Sequence, residues 1–218
     1  MSDPKTIAPP GARALLDTAP LHAGAAAGAD SASASGADPG RASPPSADLR
    51  LNLGCGGKRL AGFVGVDRYP TPAVDVLADL GTTLPFADST VADVMLDNVI
   101  EHMPDIPALM REMHRICRHD ARIVIRTPHF TSLSSWRDPT HLHHLSFFSM
   151  DHFERPGVAH YTSAGRGFEV IARRLSFGGL MGQIGRLIFS LSPLAYEKHW
   201  CFLFRASTLS FTVRVIKD

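Results

Sequence analysis

The stretch that most constrains this chain is Leu51-Asn52-Leu53-Gly54-Cys55-Gly56-Gly57, followed after a short step by Gly65-Val66-Asp67. A short apolar run entering a glycine-rich turn reads as a buried parallel strand whose C-terminal end exposes bare backbone. The second apolar run ends in an acidic residue. In open α/β sheets that edge is where nucleotide-like ligands bind. Together the two runs predict a parallel sheet with a ligand at its C-terminal margin.

The spacing narrows the ligand. The dinucleotide fingerprint has a third glycine where Arg59 stands, and an acidic residue about 20 positions further on. Asp67 comes much sooner. A pyrophosphate also calls for a helix N-terminus, and Lys58-Arg59-Leu60-Ala61-Gly62 leaves barely a turn. A ligand with a ribose diol and an amino-acid end has less need of that helix. Backbone amides near Gly54, Cys55 and Gly56 can meet its carboxylate, and Asp67 can accept both ribose hydroxyls. S-adenosylmethionine is such a ligand.

Two later runs extend the pattern: Leu84-Pro85-Phe86-Ala87-Asp88-Ser89 and Ile100-Glu101-His102-Met103-Pro104-Asp105. With the glycine loop and Asp67, they resemble a class I S-adenosylmethionine-dependent methyltransferase, more narrowly the bacterial type 11-like subgroup with a shortened first loop. The similarity runs from about residue 49 to the C-terminus. It implies a Rossmann-like, doubly wound, seven-stranded, mostly parallel sheet whose last strand is antiparallel. It also implies Asp79 and Leu80 as adenine contacts, Asn98 rather than Asp97 at the methionine end, and His102 nearby. Cys55 is expected to pack beside the ligand.

Composition sets the outer limits. Of the 218 residues, Ala23–Ala47 contains only Ala, Gly, Ser, Asp and Pro apart from Arg41. Such a segment cannot bury enough surface to offset its ordering entropy, so residues 1–48 read as a disordered low-complexity tail and 49–218 as one domain. A net charge of +1 argues against a general nucleic-acid binder. No apolar run is long enough to span a bilayer. Three cysteines without framework spacing suggest a reducing, cytoplasmic setting.

Along the chain, strands are expected at Arg50–Leu53, Phe63–Val66, Val74–Ala78, Ala92–Leu96, Arg122–Arg126, Phe168–Phe177 and Leu209–Ile216. Ile106–Arg118 carries Leu109, Met110, Met113 and Ile116 at helical spacing. Arg118-His119-Asp120-Ala121 stands where the superfamily has a glycine-containing turn, so its geometry should differ. Gly179–Leu191 is an apolar helix, expected to pack in the core; with Arg186 it could instead lie on a membrane surface. A second helix is expected over Tyr196–Phe204.

Residues 129–167 break the alternation. The segment is polar, aromatic and histidine-rich, and long loops in compact domains tend to be functional. It reads as a lid. A sulfonium is already activated, so catalysis needs in-line positioning and, for a hydroxyl acceptor, a base. His129, at the sheet edge, and His141, in Asp138-Pro139-Thr140-His141, are the candidate catalytic residues. Lid-stabilising Asp–His hydrogen bonds are the structural alternative. Phe130, Trp136, Phe147, Phe148 and Tyr161 could wall an acceptor pocket. His141 with His143 or His144, Asp138 and His129 could form a zinc-like set, but no metal-site spacing matches and no metal is expected. The sequence therefore reads as a methyltransferase acting on a small-molecule or glycan-like acceptor, with a silent cofactor-binding scaffold or a metal-dependent hydrolase as rivals.

Overall fold

A computed structural model of the chain describes residues 48–154 and 167–217. The expected tail up to Ala47 and residues 155–166 of the expected lid, Tyr161 among them, lie outside the described residues. Seven strands form one sheet: β1 (Leu49–Leu53), β2 (Val64–Asp67), β3 (Val76–Leu77), β4 (Val91–Asp97), β5 (Cys117–Pro128), β6 (Phe168–Phe177) and β7 (Ala206–Val215). Their order is β3-β2-β1-β4-β5-β7-β6. β7 runs antiparallel to both β5 and β6, and the other pairings are parallel. This is the Rossmann-like sheet with a reversed last strand that the resemblance implied.

The central strands alternate rather than running continuously apolar. On β5, Ala121, Ile123 and Ile125 are buried while Arg122 and Arg126 are exposed; on β4, Val94 and Leu96 are buried. One face therefore carries the main core. Helix α1 (Ile106–Ile116) covers it with Leu109, Met110, Met113 and Ile116. Asp105 caps α1 by accepting from the Ala108 amide at 2.8 Å, and Pro107 sits in the first turn, where its missing N–H costs nothing. The opposite face carries an ion-pair row, in which Asp93 on β4 takes Arg50 at 3.0 Å and Arg122 at 3.2 Å. Such part-exposed pairs contribute little stability.

Two expectations need correction. β5 begins at Cys117, directly after α1, with a register shift against β4 between Val91 and Asp93. Asp120 supplies the left-handed residue there at φ 61°, a conformation that Asp tolerates better than most side chains. The C-terminal helices also differ. Beyond the short helices α2 (Leu133–Arg137) and α3 (Asp151–Glu154), helix α4 (Gly179–Leu191) packs through its glycines: a Cβ on Gly185 would lie 2.8 Å from the Phe204 carbonyl oxygen, and one on Gly182 3.2 Å from Phe177. Leu180, Met181, Leu187 and Leu191 are left exposed. A short turn of helix (Pro193–Ala195) and a π-type turn (Tyr196–Trp200) follow, in place of a helix to Phe204.

Gly65 in β2 tests the packing beneath the site. A Cβ there would lie 2.1 Å from the Ala73 carbonyl oxygen, which backbone cannot easily vacate, and 3.1 Å from Cys55 Sγ. Gly65→Ala should lower stability by about 1–3 kcal/mol in urea unfolding. Gly57→Ala faces open space and should change it by less than about 0.5 kcal/mol.

Candidate cofactor and acceptor site

The turn after β1 is held by its own amides. The Gly54 and Cys55 N–H groups both donate to the Val66 carbonyl, at 2.8 and 3.2 Å, and the Gly56 N–H donates to Asp67 Oδ2 at 2.8 Å. Gly54 and Gly56 have φ of 66° and 53°. A Cβ on Gly54 would also sit 2.5 Å from Val99, so this glycine answers to both backbone and space. With all three amides engaged internally, the loop offers a ligand close approach more than free donors. Cys55 is buried, with its Sγ 3.7 Å from the Ala73 carbonyl. Burial, then the Asp67 charge, pushes its thiol pKa up, so it acts as a neutral packing group.

Beside this loop, at the C-terminal ends of β1, β2 and β4, lies a cavity of about 630 Å³, within the range that holds small organic ligands. Gly54, Asp67, Asp79, Leu80, Asn98 and His102 all line it. Cys55, Gly56 and Asp97 are not on its wall. Asp67, at the end of β2, also accepts from the Tyr69 amide at 3.0 Å, which fixes the carboxylate while its remaining lone pairs stay available. Asp79 Oδ1 accepts from the Gly81 amide at 2.8 Å. Asn98 follows β4 with φ 56°, a strained conformation of the kind that gathers at functional sites. Its side chain donates to Asp97 Oδ1 at 3.1 Å.

The wall chemistry suits the expected cofactor. Two carboxylates and an amide can receive hydroxyl and amino groups, and Leu80, Val99 and Met103 offer apolar surface to a base. Among the described lining residues the carboxylates Asp67 and Asp79 outnumber the one fixed cation, Arg68, a balance that favours a cationic sulfonium over a phosphate. Sequence reasoning missed Arg68, Tyr69, Val99, Met103 and Thr140 as wall residues. Thr140 lies within the Asp138–His141 motif, but only folding carries that motif back to the 3-10 turn Ile100–His102.

The lid docks there through backbone. The Leu142 and His143 amides both donate to the Glu101 carbonyl, at 2.8 and 3.1 Å. His102 Nδ1 meets the Thr140 carbonyl at 3.2 Å and its hydroxyl at 3.1 Å. His141 stands behind His102, ring centroids 4.6 Å apart. Thr140 also donates to Asp138 through hydroxyl and amide, which holds that carboxyl pKa below its ordinary value. Glu101 itself, unremarked as a candidate from sequence, is buried, and burial pushes its carboxyl pKa up.

His129 is placed differently from the sequence expectation. It is fully buried and does not reach the cavity wall. The Thr131 amide donates to its Nδ1 at 3.3 Å, so Nε2 carries the proton, donated to Glu197 Oε1 at 3.0 Å. The same Glu197 oxygen accepts from the Phe147 amide at 2.6 Å. Both nitrogens are thus engaged, Nδ1 within its own loop and Nε2 tying that loop to the C-terminal segment. The lid aromatics mostly pack: Trp136 stacks on His144 at 3.7 Å, and Phe147 meets Phe148 and Phe189 edge-on. His129→Ala should cost roughly 2–5 kcal/mol in thermal or urea unfolding, because it leaves a cavity and strips Glu197 of a buried donor.

Comparison with known proteins is consistent with this geometry. Residues 62–125 match the family described as "Methyltransferase domain". A S-adenosylmethionine-dependent methyltransferase from Archaeoglobus fulgidus is 17% identical, with 77% of this chain and 86% of that chain covered, at a TM-score of 0.52. The [4+2]-cyclase SpnF is 14% identical, with 78% and 76% covered, at a TM-score of 0.51. No curated protein sequence matches the chain. At those identities the two structures speak for the fold alone, which hosts more than one chemistry; the family match speaks for methyl transfer. The family match over residues 62–125, taken with the Rossmann-like sheet, supports an S-adenosylmethionine-dependent methyltransferase domain, an enzyme whose cofactor is S-adenosylmethionine.

Proposed function

We propose that this methyltransferase acts on a hydroxyl of a small-molecule or glycan-like acceptor. The observation that carries the reading is one juxtaposition: a cavity walled by Asp67, Asp79, Leu80, Asn98 and His102, with His141 packed edge-on behind His102 and not itself on the wall. When bound, S-adenosylmethionine supplies a methyl group already activated on a sulfonium. The chain's own task is then to hold and orient, and to remove a proton.

In this reading Asp67 accepts the ribose hydroxyls, Asp79 and the Leu80 backbone meet the adenine, and Gly54 lets the methionine end approach. Asn98, held by Asp97, orients the ammonium. His102 and His141 both carry their proton on Nδ1, because a backbone carbonyl can only accept: Thr140 for His102 and Ser135, at 3.0 Å, for His141. Each therefore keeps a lone pair on Nε2 for an acceptor proton. His129 has no free nitrogen and serves to position the lid.

The same reading takes residues 49–218 as the catalytic domain, 129–167 as its lid and 1–48 as a low-complexity tail. A cytoplasmic setting is supported by Cys55, Cys117 and Cys201, all buried and unpaired. No helix among the described residues is long and apolar enough to cross a membrane.

Calorimetric titration with S-adenosylhomocysteine checks the cofactor pose. Asp67→Ala should weaken binding by ~1.5–3 kcal/mol, the scale of a lost charge-assisted hydrogen bond; unchanged affinity would remove Asp67 from the ribose. Methyl-labelled cofactor with a panel of hydroxylated sugars checks the acceptor class. There His141→Ala should slow transfer by about 10²–10⁴-fold with cofactor affinity retained. Label that appears only on nitrogen or carbon acceptors would overturn the hydroxyl assignment.

A further inference from the structure

The sequence grouped His141, His143 or His144, Asp138 and His129 as a conceivable metal set. The fold assembles a different trio. Glu101, His102 and His141 bring one ligand atom each to within 4.8 Å of one another, the only such group of three among the described residues. Glu101 and His102 come from the turn after β4, and His141 from the lid. The trio exists because Leu142 and His143 dock on the Glu101 carbonyl.

Two independent features mark it as a site rather than a chance cluster. The first is an orphaned carboxylate. Glu101 is 1% exposed, and neither side-chain oxygen has a hydrogen-bond partner. The Thr127 hydroxyl is a donor close to that carboxylate, but no hydrogen bond of good geometry joins the two. Buried polar groups are rarely left so, because desolvation without a partner costs several kcal/mol. The second is the tautomer of both imidazoles. Each has its Nδ1–H held by a backbone carbonyl and its Nε2 lone pair free of a hydrogen bond, the second-shell arrangement that orients a metal-binding histidine. Asp138 Oδ2, 3.8 Å from His141 Nε2, is beyond hydrogen-bond range but near enough to join.

We propose that Glu101, His102 and His141 form a binding site for one divalent transition-metal cation. Two imidazoles and one carboxylate suit zinc, cobalt, manganese or iron(II); magnesium and calcium favour oxygen ligands throughout. Bonds of about 2.0–2.2 Å require the three side chains to draw in by roughly an ångström, a rotamer adjustment. Three protein ligands leave a position open, and His102 and Thr140 put that position beside the cofactor cavity.

A hydroxyl acceptor bound there would ionise more readily. Its proton would pass to solvent water, its oxygen would bond to the methyl carbon, and the carbon–sulfur bond would break to leave the thioether. The imidazoles would then hold the cation instead of taking the proton themselves. The site itself rests on side-chain geometry and stands apart from the choice of acceptor.

The test uses the full chain, stripped with chelator, dialysed and titrated with Co²⁺. Visible absorption and equilibrium dialysis would be read alongside S-adenosylhomocysteine binding as a control for folding. Roughly one equivalent should bind with ligand-field bands. Glu101→Gln, which keeps the side-chain shape, and His141→Ala should each weaken Co²⁺ by at least about tenfold while still binding S-adenosylhomocysteine. His144→Ala should bind Co²⁺ as the parent does. No saturable uptake, or equal uptake by Glu101→Gln and His141→Ala, would overturn the site. Transfer by a chelated enzyme that takes up no Co²⁺ would sink the metal and leave the methyltransferase reading intact. Uptake without transfer to any hydroxyl would do the reverse.

Discussion

Three consecutive amide groups donating to the end of the neighbouring strand underlie everything at this site. Gly54 and Cys55 share the Val66 carbonyl, and Gly56 takes the Asp67 carboxylate. The ends of β1 and β2 are therefore clamped together, and Asp67 is fixed before any ligand arrives. The clamp needs left-handed backbone at Gly54 and Gly56, and Val99 fills the space a side chain at Gly54 would take. Val99 in turn opens the turn that carries Glu101 and His102. The glycine loop thus sets both the floor of the cavity and the position of the imidazole at its rim.

The segment proposed as a lid is fastened at two points, both involving backbone. Leu142 and His143 hang on the Glu101 carbonyl, and Glu197 accepts from His129 at the start of the segment and from Phe147 further along. Buried charge-assisted hydrogen bonds are worth more than surface ones, and leaving a partner unmatched is expensive. This explains why the lid's histidines divide by role. His129 is buried with both nitrogens engaged and the exposed His144 bonds Ser135, whereas His102 on the cavity wall and His141 behind it keep Nε2 outside any hydrogen bond.

The C-terminal segment shows a different economy of burial. Helix α4 approaches the sheet through Gly182 and Gly185, so close packing against Phe177 and Phe204 replaces an apolar stripe. Leu180, Met181, Leu187 and Leu191 end up outside, while Ile188 and Phe189 pack inward. A second small core around Tyr196, Cys201 and Ala206 stabilises the segment instead, with Phe130, Phe177 and Phe189 around it. Tyr196 secures it by donating its hydroxyl to the Phe204 carbonyl at 2.7 Å.

Local patterns in the sequence were enough for the strands and for Gly54 and Asp67 on the cavity wall; the reversed last strand, Asp79, Leu80 and Asn98 came with the family resemblance. Leu51–Gly56, Val66-Asp67, Asp79-Leu80 and Asn98 each sit at or just past the end of a strand, and parallel strands bring such ends to one edge. Strand periodicity and glycine position are short-range properties, so they survive in the chain as written. Three things needed the tertiary structure. The direction in which α4 faces depends on which side its glycines meet, not on how apolar it is. The burial of His129 depends on Glu197, which is 68 residues away. The Glu101–His102–His141 trio depends on a lid folding back across about 40 residues to dock on one carbonyl. Contacts of that reach leave no spacing in the sequence, because what fixes them is the path of the backbone between the residues.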